Sequence, residues 1–155
     1  MTQLGNGLAA AHHNEDTLSV GEAELAMMRR LGVPEEALLA LQGNLSSTYR
    51  ALGRSEEALS LRRDVYSGSL TIKGESHEDT LSAAQNYAVS LKELKRFEEA
   101  KSVLRKAMPV ARRVLGEHHE FTLKMRWVYA QAIYHDTGAT LDDLREAVTT
   151  LEDAE

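Results

Sequence analysis

The chain has 155 residues, 43% of them hydrophobic and 27% charged, with a net charge of -6. That is about one domain's length, with enough apolar residues for a core, and the acidic balance excludes the broad basic footprint on which nonspecific nucleic-acid binding rests. No apolar run approaches the roughly 18 residues needed to span a bilayer, Met1 to Ala11 lacks the basic start of a secretory leader, and the absence of cysteine fits a reducing, cytoplasmic location.

Residues 1–13, with Gly5 and Gly7 and no apolar period, read as a flexible lead-in. A first helix is expected from about Asn14 to Leu31, with Leu18, Leu25, Met28 and Leu31 near a three-to-four spacing. Gly32 stops it and Pro34 suits the first turn of a second helix, which ends near Leu52 and carries Leu38, Leu41, Leu45, Tyr49 and Leu52 as a one-sided stripe. After a Gly53-Arg54 turn, Ser55 reads as the N-cap of a third helix. It runs to about Ile72, with Glu56 and Glu57 at the positive end of its dipole and Gly68 weakening its end. A fourth helix is expected over about Glu78–Leu94 and a fifth over about Phe97–Leu115, with Pro109 removing one backbone hydrogen bond inside it. The sixth starts at His119-Glu120 and runs to about Thr137, with Leu123, Trp127, Ala130 and Ile133 on one side. Thr140-Leu141-Asp142-Asp143 reads as a capping box opening a seventh helix. That helix has no stop signal before Glu155, so the chain is expected to finish within it.

These elements repeat. Gly32, Gly74 and Gly116 are evenly spaced, and Gly74-Glu75-Ser76-His77-Glu78-Asp79-Thr80-Leu81 aligns with Gly116-Glu117-His118-His119-Glu120-Phe121-Thr122-Leu123. Asn44 keeps register with Asn86, Leu52 with Leu94, Arg54 with Arg96, and Glu56-Glu57-Ala58 with Glu98-Glu99-Ala100. A fixed period of this length signals stacked helical hairpins, each completing the core of its neighbour. Small residues recur where paired helices must approach: Ser46, Ala58, Ala88, Ala100, Ala130 and Ala147, beside the large residues Leu45, Tyr49, Leu91, Leu104, Tyr129 and Ile133.

The Gly-x-x-His-x-x-Thr-Leu text, with the later Asn, the turn, the Arg and Glu-Glu-Ala, resembles the tetratricopeptide repeat in its 42-residue form, the kind found in kinesin light chains. The segment before Pro34 lacks the His-x-x-Thr-Leu text, Lys95 stands where the turn glycine is expected, and the last unit carries an insertion around Asp136 to Ala139. The resemblance implies an all-α fold of about seven helices, wound as a right-handed superhelix with a concave groove. Its expected parts are a half-unit at 14–32 and repeats at about 33–74, 75–116 and, as a variant, 117–155.

Candidates for chemistry are weak. His77 and His119 share a repeat position, which favours a structural role at the turn between repeats, and His118-His119-Glu120 lacks the spacing that places two metal ligands on one helical face. His12-His13 falls in the lead-in. The carboxylate pairs sit at helix starts, where negative charge is locally stabilising, and no glycine-rich phosphate loop or nucleophile elbow occurs. The pairs Arg29-Arg30, Arg62-Arg63 and Arg112-Arg113 read as solvated outer faces. No catalytic residue, metal or cofactor is expected.

The resemblance places Asn44 and Asn86 facing the groove, where an amide can pair with a ligand backbone; bonding between helices is the alternative. Arg50 and Lys92, six residues later, hold equivalent places as solvated charges or partners for carboxylates, and Lys124 adds a third cation. In the last unit Val128 takes the asparagine place and Tyr134 the basic one, beside Trp127, the single tryptophan, which is either an anchor for a partner or core. The expected function is non-catalytic binding of a protein or peptide, with acidic residues, in the groove. The competing expectation is a subunit that stacks through uncapped terminal helices into a homo-oligomer or larger complex. Neither nucleic acid nor membrane is an expected partner.

Overall fold

A computed structural model describes residues 2–152, with side chains over 14–150. Seven helices follow in order among the described residues: α1 (Thr2–Leu31), α2 (Glu35–Ala51), α3 (Ser55–Lys73), α4 (Glu78–Glu93), α5 (Phe97–Leu115), α6 (Glu120–His135) and α7 (Leu141–Glu152). The architecture is all-α, as the spacing requires. α1 begins at Thr2 and not near Asn14, so helix occupies most of the stretch expected as a lead-in; the side chains of residues 1–13, His12-His13 included, lie outside those described, as does the finish of the chain.

Two turns show why the helices stop where they do. After α2, the amide of Gly53 donates to the Arg50 carbonyl (3.0 Å) and that of Arg54 to the Tyr49 carbonyl (2.9 Å). After α4, Lys95 donates to Lys92 (2.9 Å) and Arg96 to Leu91 (2.8 Å). Both are Schellman closures, which need a left-handed residue at the reversal; Gly53 adopts φ 74° and Lys95 φ 60°, the lysine being the non-glycine exception among the described residues. The next helix then starts on arginine rather than on Ser55. The Arg54 carbonyl accepts from Ala58 and the Arg96 carbonyl from Ala100, both at 3.1 Å. The arginine Nε atoms donate to Glu57 (2.8 Å) and Glu99 (2.7 Å). Ser55 is therefore the first helical residue of α3, and the cap belongs to Arg54.

The chain divides into two compact units, 1–68 and 69–155. In the first, Leu18, Leu25 and Leu45 form the buried cluster, with Leu38, Leu41, Tyr49, Leu52 and Leu61 packed on it. Leu31, expected on that stripe, is exposed. Gly68 does not weaken α3, which continues to Lys73. It lies where a Cβ would come within 2.6 Å of Leu39, so the glycine permits close approach to α2. Arg62, expected on a solvated face, is buried, and its Nε donates to Ser46 Oγ (3.4 Å).

In the second unit α4 packs on α5 and α6, α5 on α6, and α6 on α7. Ala84, Ala88, Leu91, Ala100, Leu104, Ala111, Met125, Tyr129, Ala132 and Ile133 form its core. Six small residues expected at helix approaches, Ser46 and Ala58 in the first unit and Ala88, Ala100, Ala130 and Ala147 in the second, are all buried. Pro109 sits within α5, which runs unbroken from Phe97 to Leu115. The insertion before α7 is held by Asp136, whose Oδ1 accepts from the Gly138 amide (3.0 Å) and whose Oδ2 accepts from the nearly inaccessible Lys101 ammonium (2.8 Å). Burial alone would push the Lys101 ammonium pKa down, but Asp136 and Glu98 outweigh it and hold it above its ordinary value.

Candidate functional site

The second unit exposes one face of α6. Lys124, Trp127, Gln131 and Tyr134 recur at three- and four-residue steps, which puts them along one side of a helix. Trp127 is 57% exposed and Tyr134 75%, while Thr122, Met125, Arg126, Val128, Tyr129 and Ile133 are buried around them. The core alternative for Trp127 is thus set aside, and so is its place on one apolar side with Ala130 and Ile133. Large aromatics with this much open surface are the side chains that anchor interfaces. Lys124 is exposed and pairs with Glu120 one turn earlier, which holds that carboxyl below its usual range.

α4 supplies the neighbouring surface. Asn86 is exposed and Lys92 half-buried. The Lys92 ammonium donates to Gln131 Oε1 (2.7 Å), tying α4 to the exposed face of α6. Six residues rotate a helix by about 240°, so Asn86 and Lys92 do not share one side of α4; the lysine leans to α6. The structure therefore brings Lys92 to the face of Trp127. In the first unit Asn44 and Arg50 are both exposed on α2. Asn44 lines a cavity of about 400 Å³ between α1 and α2, with Asp16, Val20, Gly21 and Leu41 among its walls.

Two of the histidines resolve as caps. His77 Nδ1 accepts from the Asp79 amide (3.2 Å) and His119 Nδ1 from the Phe121 amide (3.3 Å). Each satisfies a backbone donor left open by the first turn, as an N-cap side chain does. Among the described residues no three metal-ligating side chains gather in one place, and no helix is long and apolar enough to cross a membrane.

Sequence reasoning missed a polar network where α5, α6 and α7 meet. Arg105 Nε donates to Tyr129 Oη, which donates to Glu146 Oε1, both at 2.7 Å. Burial first, and then Glu146, pushes the Tyr129 phenol up to about 12, so it remains a donor at ordinary pH. Arg112 pairs with Glu117 at 2.6 Å, and Arg126, 3% exposed, lies 3.5 Å from the same carboxylate and donates from Nε to the Thr150 carbonyl (2.6 Å). The available signal was register: Arg126 stands where α4 has Ala84 and α2 has Gln42.

Helical hairpins with a shared turn, a shared histidine cap and a shared small-residue seam define a helical-repeat protein. Residues 80–120 match the family model of the tetratricopeptide repeat, and the fold is that of kinesin light chain-like repeats of this class. The chain is similar to two crystal structures of nearly identical TPR-like repeats assigned to a kinesin light chain of Podosopora anserina, one of them carrying a single substitution. Both are 20% identical to it, with TM-scores of 0.78 and 0.80, over 98% of this chain and 73% of theirs. It is also similar to BtubC (BKLC) from P. vanneervenii, 16% identical with a TM-score of 0.62 over 92% of this chain; it spans 65% of that protein's length. No curated protein sequence matches the chain.

Proposed function

We propose that the protein is a non-catalytic interaction module that binds a partner protein through an extended segment. The fold class supports a protein-interaction role. The repeat boundaries 33–74, 75–116 and 117–155 belong to the same reading. The observation that carries the binding surface is Trp127, more than half exposed on α6 between Lys124 and Gln131, with Tyr134 beyond. The aromatics supply apolar contact area, and Lys124 and Lys92 attract carboxylates on the partner. Asn86 on α4 offers its amide to a peptide backbone; in the first unit, taken by itself, Asn44 and Arg50 hold the equivalent places on α2. Each exposed charge pair would add about 1 kcal/mol or less, so the aromatic anchor dominates affinity.

The test is photo-crosslinking from position 131, beside the intact Trp127, in cell extract, followed by mass spectrometry and titration of the identified partner. Trp127→Ala is expected to weaken its binding by more than about tenfold, roughly 1.4 kcal/mol, at unchanged helicity. Asn86→Ala should give a smaller loss. A partner that binds Trp127→Ala as tightly as the parent sinks this surface.

A second reading, assembly through the terminal helices, draws on Leu141, Leu144 and Val148, all exposed at three- and four-residue steps along α7, and on Val20, Met27 and Leu31 on α1. Sedimentation equilibrium at rising concentration tests it, and a monomer throughout excludes it.

A further inference from the structure

The two exposed rings of α6 frame a polar group of fixed sense. Trp127 and Tyr134 are both open to solvent and stand seven residues apart, which is about 10.5 Å along a helix axis. The indole N–H of Trp127 is a donor only. Between the rings lies Gln131, whose Oε1 accepts from the Lys92 ammonium (2.7 Å). An ammonium has no acceptor, so the lysine decides which way the amide is turned. Its oxygen is engaged toward α4, and the Nε2 donors are the edge left for a ligand. The face therefore combines aromatic surface with two donor groups, and the Tyr134 hydroxyl serves in either sense.

Spacing and hydrogen-bond sense decide what fits. A β-type segment repeats its side chains on one face at about 6.7 Å and again at about 13.4 Å, and neither step matches the rings. Its N–H groups also need acceptors, while the Gln131 oxygen is already engaged. An α-helix can match about 10.5 Å, but its carbonyls are satisfied along its own axis, so it would cover the two donors without accepting from them. A polyproline II segment repeats every third residue, about 9.3 Å, close to the separation of the rings. Proline has no N–H, and the carbonyls of such a segment have no internal partner. Segments of this kind dock their prolines on exposed aromatics.

We propose that the α6 face binds a proline-rich segment in the polyproline II conformation. One proline lies against Trp127, another three residues on lies against Tyr134, and a carbonyl between them accepts from Gln131 Nε2. This rests on the proposed function in taking the same surface, and it narrows the extended segment to a chemical class.

The experiment is NMR titration of the whole chain with capped synthetic peptides: decaproline, a glycine–serine peptide of equal length, and an alanine-based helical peptide. Trp127 is the single tryptophan, so its indole N–H gives one resonance. The expected result is a saturable shift of that resonance and of the Gln131 side-chain amide with decaproline alone. Gln131→Glu keeps an oxygen for Lys92 and removes the donors, so it should weaken decaproline binding about fivefold at unchanged helicity. Should that variant lose helicity, Trp127→Phe, which keeps a ring and loses the N–H, is read at the Gln131 amide and should weaken binding by a similar factor. The proposal is overturned if decaproline gives no saturable shift, if either other peptide binds as tightly, or if removal of the donor leaves binding unchanged. Failure of decaproline beside a crosslinked partner that still depends on Trp127 overturns the choice of ligand and leaves the surface standing.

Discussion

The hairpins α4–α5 and α6–α7 are built on one plan and differ in what they bury and expose. Both open on a histidine whose Nδ1 caps the first turn, and both place threonine, then leucine, at the same steps. Thereafter they diverge. α4 buries Ala84 where α6 buries Arg126, and exposes Asn86 where α6 buries Val128. The half-buried Lys92 of α4 is matched by Tyr134, which stands in solvent. α4–α5 turns through Lys95 and an Arg96–Glu99 pair, whereas α6–α7 turns through the longer Asp136 loop and a Thr140–Asp143 capping box, with reciprocal bonds of 2.8 and 3.2 Å. The periodic positions hold the fold, and the departures carry the exposed aromatics and the buried arginine.

The strongest way to break the comparison is to exchange the buried pair. Ala84 is 1% exposed and belongs to the apolar core of its hairpin. Ala84→Arg should cost about 4 kcal/mol or more, since it forces a charge and extra volume into that core. Arg126→Ala should cost less, about 2–3 kcal/mol, because Glu117 retains Arg112. Urea unfolding of both variants checks the order, and equal losses would mean that α6 gains nothing from its built surroundings. A finer exchange uses the threonines. Thr80 Oγ1 donates to the Ser69 carbonyl (3.2 Å), whereas the buried Thr122 hydroxyl has no hydrogen-bond partner among the described residues. Thr80→Val should therefore destabilise by about 1 kcal/mol, and Thr122→Val should be neutral or slightly stabilising. Matching losses would show that the two hairpins treat this hydroxyl alike.

Helix limits were legible because their signals are local. Phe97–Leu115 was placed to the residue, and the Thr140–Asp143 box opens α7 as its spacing implied. Ser55 misled because serine is a good cap in general, while the closure after α2 sets the reversal at Gly53 and leaves Arg54 to start α3. Side-chain placement on α6 was harder. Its neighbours α4, α5 and α7 cover a wide arc, so apolar spacing cannot say where the remaining gap opens, and Trp127 falls in it. Arg62 and Arg126 were unreadable for a related reason. Long basic side chains favour the surface unless tertiary partners meet them, and Ser46 and Thr150 are distant in sequence.

The smallest expected effect isolates the turn itself. Lys95 takes the left-handed conformation that its counterpart Gly53 adopts without a Cβ, and for a residue with a side chain that conformation costs about 1–2 kcal/mol. The two hydrogen bonds of the closure are backbone to backbone, so they survive Lys95→Gly. Against the relief stands the greater freedom that glycine gives the unfolded chain, about 0.4–1 kcal/mol. Lys95→Gly should therefore stabilise by about 0.5 kcal/mol, read as a higher urea midpoint at unchanged slope. The reverse change, Gly53→Lys, should lower it by a similar amount. A loss with Lys95→Gly would mean that the lysine side chain holds the α4–α5 turn by a contact that outweighs its strained backbone, and the two turns would then no longer be one device with a tolerated exception.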